Sequence, residues 1–120
     1  MSYLEKAQDL QNMVLGGKLM DAFEKYYHED VVMIEATGDS TSGKADNRVR
    51  EEKFLASIAE FHGAGLLAIS SNEEEAVTMA EVWMDVTFQD GNRMKMEQIT
   101  VQRWEGDHII NERFYYNAAG

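Results

Sequence analysis

The second half of the chain holds two long β-prone runs, Val77–Gln89 and Arg93–Trp104, both rich in β-branched and aromatic residues. Asp90-Gly91 stands between them, a strong short-range hairpin signal. The sequence has no proline, so nothing in either run argues against continuous strands. A two-residue turn would pair Gln89 with Asn92. Asp85 would then oppose Met96, Trp83 would oppose Gln98 and Glu81 would oppose Thr100. Glu105-Gly106-Asp107 reads as a three-residue turn into a last strand, His108–Tyr116. That turn sets Thr100 against Glu112, Gln98 against Phe114 and Met96 against Tyr116. Side chains alternate between sheet faces with period two. One face should carry Glu81, Trp83, Asp85, Met96, Gln98, Thr100, Glu112, Phe114 and Tyr116. The other should carry Val82, Met84, Val86, Phe88, Ile99, Val101, Ile109 and Tyr115, with Lys95, Glu97 and Arg113. Both faces are too apolar for free exposure to water. The mixed face suits a ligand pocket. The more aliphatic face, above all Val82, Met84, Val86, Ile99 and Val101, suits an interface between two copies of the chain.

The first half reads as helices. Ser2-x-x-Glu5 is a capping box, and Leu4, Ala7, Leu10 and Val14 follow at helical spacing up to Gly16-Gly17. A second helix carries Leu19, Phe23, Tyr26 and Tyr27 and closes at His28-Glu29-Asp30. Val31–Ile34 is a short β-prone run, and residues 37–44 form a polar loop. A third helix is predicted from about Asp46 to Phe61, with Val49, Phe54, Leu55 and Ile58 on its apolar side. Gly65–Ser71 is the next strand. The fold class is therefore α+β, with helices first and a curved antiparallel sheet after them.

At 120 residues the chain fits a single domain, residues 1–120. It has no cysteine, which excludes disulfides, thiolate metal sites and a cysteine nucleophile. The net charge is −11, and it is spread over both halves. Such a surface repels phosphate backbones and anionic lipid, so neither nucleic acid nor membrane is an expected partner. The start of the chain lacks a secretory signal pattern, and a cytoplasmic location is expected. His28, His62 and His108 lack metal-ligand spacing, so no metal is expected.

Two stretches carry a family resemblance. Val101-Gln-Arg-Trp-Glu-Gly-Asp-His-Ile109, followed by Glu112-Arg-Phe-Tyr-Tyr-Asn117, resembles the terminal hairpin of the SnoaL-like branch of the nuclear-transport-factor-2-like superfamily. Glu29-Asp-Val-Val-Met-Ile-Glu35, with Gly43 after it, resembles that family's first strand and the glycine loop into its third helix. The resemblance implies a cone-shaped, cystatin-like α+β fold, with a curved sheet wrapped around the N-terminal helices and an apolar pocket at the open end. It also implies pairing through the outer sheet face, no cofactor, and chemistry ranging from isomerases, cyclases, hydrolases and dehydratases to non-catalytic binders. In the steroid-isomerase branch the general base falls at Glu35 and the second acid at Thr100. The helical tyrosine of that branch has no counterpart here.

The candidate catalytic residues are Glu35, Asp85 and Glu112. Glu35 ends an apolar strand and shares a face with Val31 and Met33. Desolvation by Phe54 and Trp83 would raise its pKa above a carboxylate's ordinary value and suit it to proton abstraction. The candidate ligand-binding residues are Tyr27, Met33, Phe54, Trp83, Met96, Gln98, Thr100, Phe114 and Tyr116. The expected ligand is a small, mostly apolar organic molecule. The expected activity is that of a cofactor-independent isomerase, cyclase or hydratase with a carboxylate base. A non-catalytic ligand-binding or dimerisation module of the same fold is the alternative.

Overall fold

A computed structural model describes residues 1–117. Helix α1 (Tyr3–Leu15) starts at the capping box, where Ser2 Oγ accepts from Glu5 N and Glu5 Oε1 accepts from Ser2 N, both at 3.0 Å. Glu73, from the turn that precedes the long hairpin, adds a second cap. Its carboxylate accepts from Tyr3 N at 2.8 Å and Leu4 N at 3.1 Å. These bonds satisfy amides that a helix start leaves without partners, and they tie α1 to the sheet. Helix α2 (Leu19–Tyr26) buries Ala22, Phe23 and Tyr26.

The chain passes directly from α2 into strand β1 (Tyr27–Ile34), so the strand begins four residues earlier than the Val31–Ile34 run suggests. A short strand β2 (Ser40–Ser42) folds back on β1 from within the expected polar loop. Helix α3 (Lys44–Ala56) is followed at once by strand β3 (Ile58–Asn72). Residues 58–61 are therefore strand and not the last turn of a helix. Phe54, Leu55 and Ile58 have helical spacing, but the pairing of β3 with the hairpin, Ile58 opposite Phe88, overrides that local signal. The long hairpin is β4 (Val77–Phe88) and β5 (Arg93–Glu105), and β6 (His108–Tyr115) closes the sheet.

The six strands run in the order β2-β1-β6-β5-β4-β3. All neighbours are antiparallel except β1 and β6, which are parallel. The sheet is therefore mixed: β1, which lies between α2 and α3 in sequence, pairs with the last strand, β6. Among the described residues no helix is long and apolar enough to cross a membrane.

Two turns differ from the sequence reading. The β4–β5 hairpin closes through Phe88 N to Asn92 O at 2.8 Å and Gly91 N to Phe88 O at 2.9 Å. The loop thus holds three residues, Gln89-Asp90-Gly91, with Gly91 at φ +91°. A glycine in that left-handed conformation lets a three-residue loop match the strand twist. Asp85 accordingly opposes Lys95, Trp83 opposes Glu97 and Glu81 opposes Ile99, a shift of one residue. The β5–β6 connection is shorter than the sequence suggests, with Glu105 opposite His108 and an irregularity at Arg103/Trp104. Thr100 then opposes Phe114 and Gln102 opposes Glu112. This second shift is by two residues, which preserves the faces.

The one-residue shift exchanges the two faces of β4. Thr78, Ala80, Val82, Met84 and Val86 share a face with Met96, Gln98, Thr100, Gln102, Glu112 and Phe114. This face is covered by the helices: Thr78, Ala80, Val86, Thr100, Gln102 and Glu112 are buried. Met79, Glu81, Trp83 and Asp85 lie on the outer face with Lys95, Glu97, Ile99 and Val101. The aliphatic row Val82, Met84 and Val86 therefore belongs to the interior and not to an outer interface. The main core packs Ala7 and Leu10 of α1 and Phe23 and Tyr26 of α2 against Tyr27, Val31, Met33, Trp104 and Ile109. Trp104 is held between Tyr3 and Tyr26, with ring centroids 5.9 and 5.8 Å away.

On the outer face the Trp83 indole lies flat over two glycines of β3. Gly65 pairs with Trp83 directly, and a Cβ added there would stand 2.3 Å from Trp83 Nε1 and 2.8 Å from Cε2. Gly65→Ala should therefore force the indole aside and destabilise the fold by about 1–3 kcal/mol. Adding Trp83→Leu should remove most of that penalty, because the two residues share one space. Urea unfolding of the two single variants and the double variant checks this. Additive losses would show that the indole is free to move.

Candidate functional site

Three carboxylates and one guanidinium meet where β1, β6 and α3 come together. Met33 of β1 pairs with Glu112 of β6, so both side chains point to the covered face. Glu112 is buried, with 2% of its surface exposed. Tyr27 OH donates to its Oε1 at 2.5 Å, and Gln102 Nε2 donates to its Oε2 at 2.8 Å. Burial pushes the Glu112 carboxyl up to about 7, against the two hydrogen bonds, which favour the charged form. The nearby Glu51 carboxylate pushes the same way, and the Arg50 guanidinium opposes it. Burial together with the adjacent carboxylate also pushes the Tyr27 hydroxyl well above its ordinary value.

Glu51 comes from α3 and keeps 14% of its side chain exposed. Desolvation raises its carboxyl, Arg50 lowers it, and Glu35 adds a further rise. Arg50, also on α3, bridges the cluster. Its Nη1 pairs with Glu35 Oε1, its Nη2 meets Glu51 Oε1 at 3.3 Å, and the same Nη2 approaches Met33 Sδ at 3.3 Å. Tyr116 OH donates to Glu35 Oε2 at 2.9 Å.

A half-open cavity of about 240 Å³ lies at the mouth of the sheet. Val14 and Leu15 of α1, Leu19 and Met20 of α2, Leu55 of α3, and Ile58, Phe61 and Met84 of the sheet line it. Lys18 and Asp21 stand at its edge. Leu55 is one helical turn beyond Glu51, so the same face of α3 links the cavity wall to the acidic cluster. Thr100 lies on the covered face, next to the Gln102–Glu112 pair along β5. Its Oγ1 is buried and has no hydrogen-bond partner among the described residues.

The structure brings together many of the residues singled out in the sequence. Tyr27, Met33, Met96, Gln98, Thr100, Glu112 and Phe114 share the covered face. Phe54 stacks edge-on against Phe88, with centroids 6.4 Å apart. Tyr116 is partly exposed and reaches Glu35. Two residues are placed elsewhere. Trp83 lies on the outer face, beneath the Lys95 ammonium at 4.9 Å from its ring centroid. Asp85 is also on the outer face, where Arg93 donates to both its oxygens at 3.1 and 3.0 Å and holds its carboxyl below the usual carboxylate range. The three-residue hairpin loop is the cause of both displacements. Glu35 stands in the cluster and not in the cavity lining, among other neighbours than those expected to desolvate it. Arg50 and Tyr116 bind it, and Trp83 is on the other side of the sheet. Lys44 and Arg48 turn away to Glu24.

Sequence reasoning missed Glu51, Arg50 and Gln102. Glu51 stands four residues after the fully buried Asn47 and four before Leu55, a spacing that marks an inward position within the charged run Arg50-Glu51-Glu52-Lys53. Gln102 is the residue that a correct terminal-turn register pairs with Glu112.

A six-stranded sheet around three helices, with a cavity at its mouth, defines an α+β cone of the nuclear-transport-factor-2-like kind. The SnoaL-like domain family matches residues 1–116, and the chain belongs to that family. A protein of Mesorhizobium loti provisionally named a SnoaL-like polyketide cyclase superposes with a TM-score of 0.83 at 26% identity, over 97% of this chain and 100% of its own. A Pseudomonas putida protein provisionally named a polyketide cyclase superposes at 0.82 with 18% identity, over 99% and 94% of the two chains. A Bacillus subtilis protein provisionally named an isomerase does so at 0.83 with 17% identity, over 99% and 91%. The last two likenesses are of fold. No curated protein matches the sequence.

The buried carboxyl makes stability depend on pH in a definite direction. Glu112 is raised from 4.5 to about 7, so the native state holds its proton more tightly than the unfolded chain does. Its contribution is most favourable below pH 4.5 and is lost as pH rises toward 7. A rise of that size corresponds to ~3 kcal/mol. Glu51 acts in the same direction. Urea midpoints should therefore fall between roughly pH 5 and pH 8. Glu112→Gln should remove most of that fall and leave a smaller slope from Glu51. An unchanged slope in the variant would show that Glu112 is not the desolvated group.

Proposed function

We propose that this protein is a cofactor-independent enzyme of the isomerase, cyclase or hydratase type, moving a proton on a small, mostly apolar organic molecule. The observation that carries the reading is the buried Glu112 carboxyl, pushed up to about 7 on the same covered sheet face as Met84, which lines the apolar cavity. A general acid or base works best when its pKa lies near the working pH. Glu112 is the proton-exchanging group in this reading. Glu51 is the second carboxyl, one helical turn from the cavity-lining Leu55 and more accessible. Arg50 holds Glu35 and Glu51 in place, and Tyr116 helps to fix Glu35. The Thr100 hydroxyl, without a partner among the described residues, is the donor left for a ligand oxygen. Three carboxylates against one arginine favour a neutral ligand over an anionic one. The names given to the Mesorhizobium loti and Bacillus subtilis proteins, a cyclase and an isomerase, agree with proton-transfer chemistry of this kind.

The second reading is a non-catalytic binding module of the same fold. It is favoured by the occupation of both Glu112 oxygens by protein donors. Incubation in deuterium oxide with a panel of cyclic β,γ-unsaturated ketones and 1,3-diketones separates the two. The enzyme reading expects deuterium incorporation at carbon above the buffer rate, reduced by about 100-fold or more in Glu112→Gln. Saturable binding of these ketones with no exchange, or exchange that survives in the variant, would defeat it.

The outer sheet face is the proposed homodimer interface. Met79, Ile99 and Tyr115 are exposed on it, next to the flat Trp83 indole, with Lys95, Glu97 and Arg113 among them. Aromatic anchors among interspersed charges suit a partner surface. Sedimentation at micromolar concentration should show a dimer, and Ile99→Asp should shift it to monomer. A monomeric wild-type chain would rule this interface out.

A further inference from the structure

We propose that Trp104, Thr78 and Gln102 form a one-directional hydrogen-bond relay that positions the Glu112 carboxyl and carries its protonation state to the Trp104 indole in the core. The relay deepens the reading of Glu112 given above and takes its catalytic meaning from it.

The chemistry of the groups fixes the direction. An indole N–H can only donate. Trp104 Nε1 is 2.9 Å from Thr78 Oγ1, so the hydroxyl oxygen accepts there. The Thr78 hydrogen is then directed at Gln102 Oε1, 2.9 Å away, an amide oxygen that can only accept. That contact fixes the orientation of the amide. Gln102 Nε2 must face Glu112, and it donates to Oε2 at 2.8 Å. Every hydrogen in the series therefore points toward the carboxyl.

The fold supplies the spacing. Thr78 pairs with Gln102 across β4 and β5, and Gln102 pairs with Glu112 across β5 and β6. Three directly opposed residues on one face thus carry the relay across three strands. Trp104 joins from the next inward position of β5, after the irregularity at Arg103/Trp104. Thr78, Gln102, Trp104 and Glu112 are all buried. Threonine and glutamine at such positions are costly unless every polar atom is satisfied, and apolar residues of similar shape would pack there at less cost. Stability alone does not account for three polar links that all end on one carboxylate.

Aligned hydrogen bonds polarise one another. A bond to an ionised carboxylate is about twice as strong as one to a neutral group. Protonation of Glu112 should therefore weaken the Gln102 link, then the Thr78 link, and be felt at Trp104. The groups facing Glu112 are Tyr27 from β1, Gln102 from β5, and Arg50 and Glu51 from α3, with Glu35 behind Arg50. Those facing Trp104 are Tyr3 and Lys6 from α1 and Tyr26 from α2. Asp107 is bound to Lys6, and Asp9 is bound to Tyr26. Both carboxyls are held below their ordinary value by those partners, on the acid side of the range of interest. His28 and His108 stack near the terminal hairpin.

The chain has two tryptophans, so the indole N–H resonances are easily resolved. Proton–nitrogen spectra are recorded from roughly pH 5 to pH 9 on protein with carbon-13-labelled glutamate carboxyls, in a His28→Gln/His62→Gln/His108→Gln background that removes imidazole titration. The Trp104 resonance should move with the same midpoint as the Glu112 carboxyl carbon, while Trp83 does not follow it. In Thr78→Val, Glu112 should still titrate and Trp104 should cease to follow. Thr78→Ser should restore the coupling, which separates a lost link from a damaged fold. Gln102→Leu should move the Glu112 midpoint upward by about one pH unit or more, since a donor to the charged form is gone. A Trp104 resonance that ignores Glu112 in the parent protein, or still follows it in Thr78→Val, would overturn the relay. Intact coupling in a protein that shows no carbon–hydrogen exchange would instead overturn the enzymatic reading and leave the relay standing.

Discussion

The bonds that close the β4–β5 hairpin, Phe88 N to Asn92 O and Gly91 N to Phe88 O, hold three residues in its loop. Through the alternation of side chains, that loop decides what lies beside Glu112. With three residues, Thr78 is opposite Gln102 on the covered face, and Trp83 and Asp85 are outside. With two, Thr78 would point outward and the relay would lose both links that Thr78 makes, to Trp104 and to Gln102. The site thus depends on a backbone conformation at Gly91, more than ten residues along the chain from Thr78. The outer face depends on it equally. The indole of Trp83 can lie flat only because Gly63 and Gly65 face it from β3.

Within this frame Glu112 is an opposed pair of effects. Desolvation disfavours the charge, and two donors favour it. Neither removes the other, and the outcome is a carboxyl close to neutrality. Fully apolar surroundings would keep it protonated, and a solvated site would keep it ionised. Tyr27 bears the other side of the arrangement. Its hydroxyl, buried beside the carboxylate, is held as a donor and kept from ionising. The stabilising work is done elsewhere, in the aromatic packing of Phe23, Tyr26, Tyr27 and Trp104 and in the double capping of α1 by Ser2 and Glu73. A well-anchored core of this kind can tolerate one costly carboxyl.

Much of this was legible in the sequence. The capping box, the glycines after α1, the hairpin and the terminal motif give the order of elements and the family. Glu112, Thr100, Gln98, Met96 and Phe114 come out on one face even from an incorrect terminal turn, because an error of two residues preserves parity. The β4 residues do not, because an error of one residue reverses it. Asp-Gly serves two-residue and three-residue loops alike, and the dipeptide does not tell them apart. The parallel pairing of β1 with β6 was out of reach for a different reason. It joins segments far apart in sequence, and no local pattern records it. Residues 58–61 were misread because the same apolar spacing continues past Ser57, where only the partner strand decides between helix and strand.

Glu51 illustrates the remaining gap. It stands in the run Arg50-Glu51-Glu52-Lys53, which reads as a solvated helix face. Its inward direction is set by Asn47, one turn earlier, whose amide binds the carbonyls of Val31, Thr41 and Gly43 and locks the rotation of α3 against β1 and β2. With that rotation fixed, Glu51 must face β6 and Leu55 must face the cavity. A structural asparagine thereby aims the acidic side chain that adds to the charge around Glu112. The electrostatics of the site follow from a helix orientation, and the orientation follows from one buried amide that donates to three backbone carbonyls, two of which, Val31 and Gly43, also accept from backbone amides.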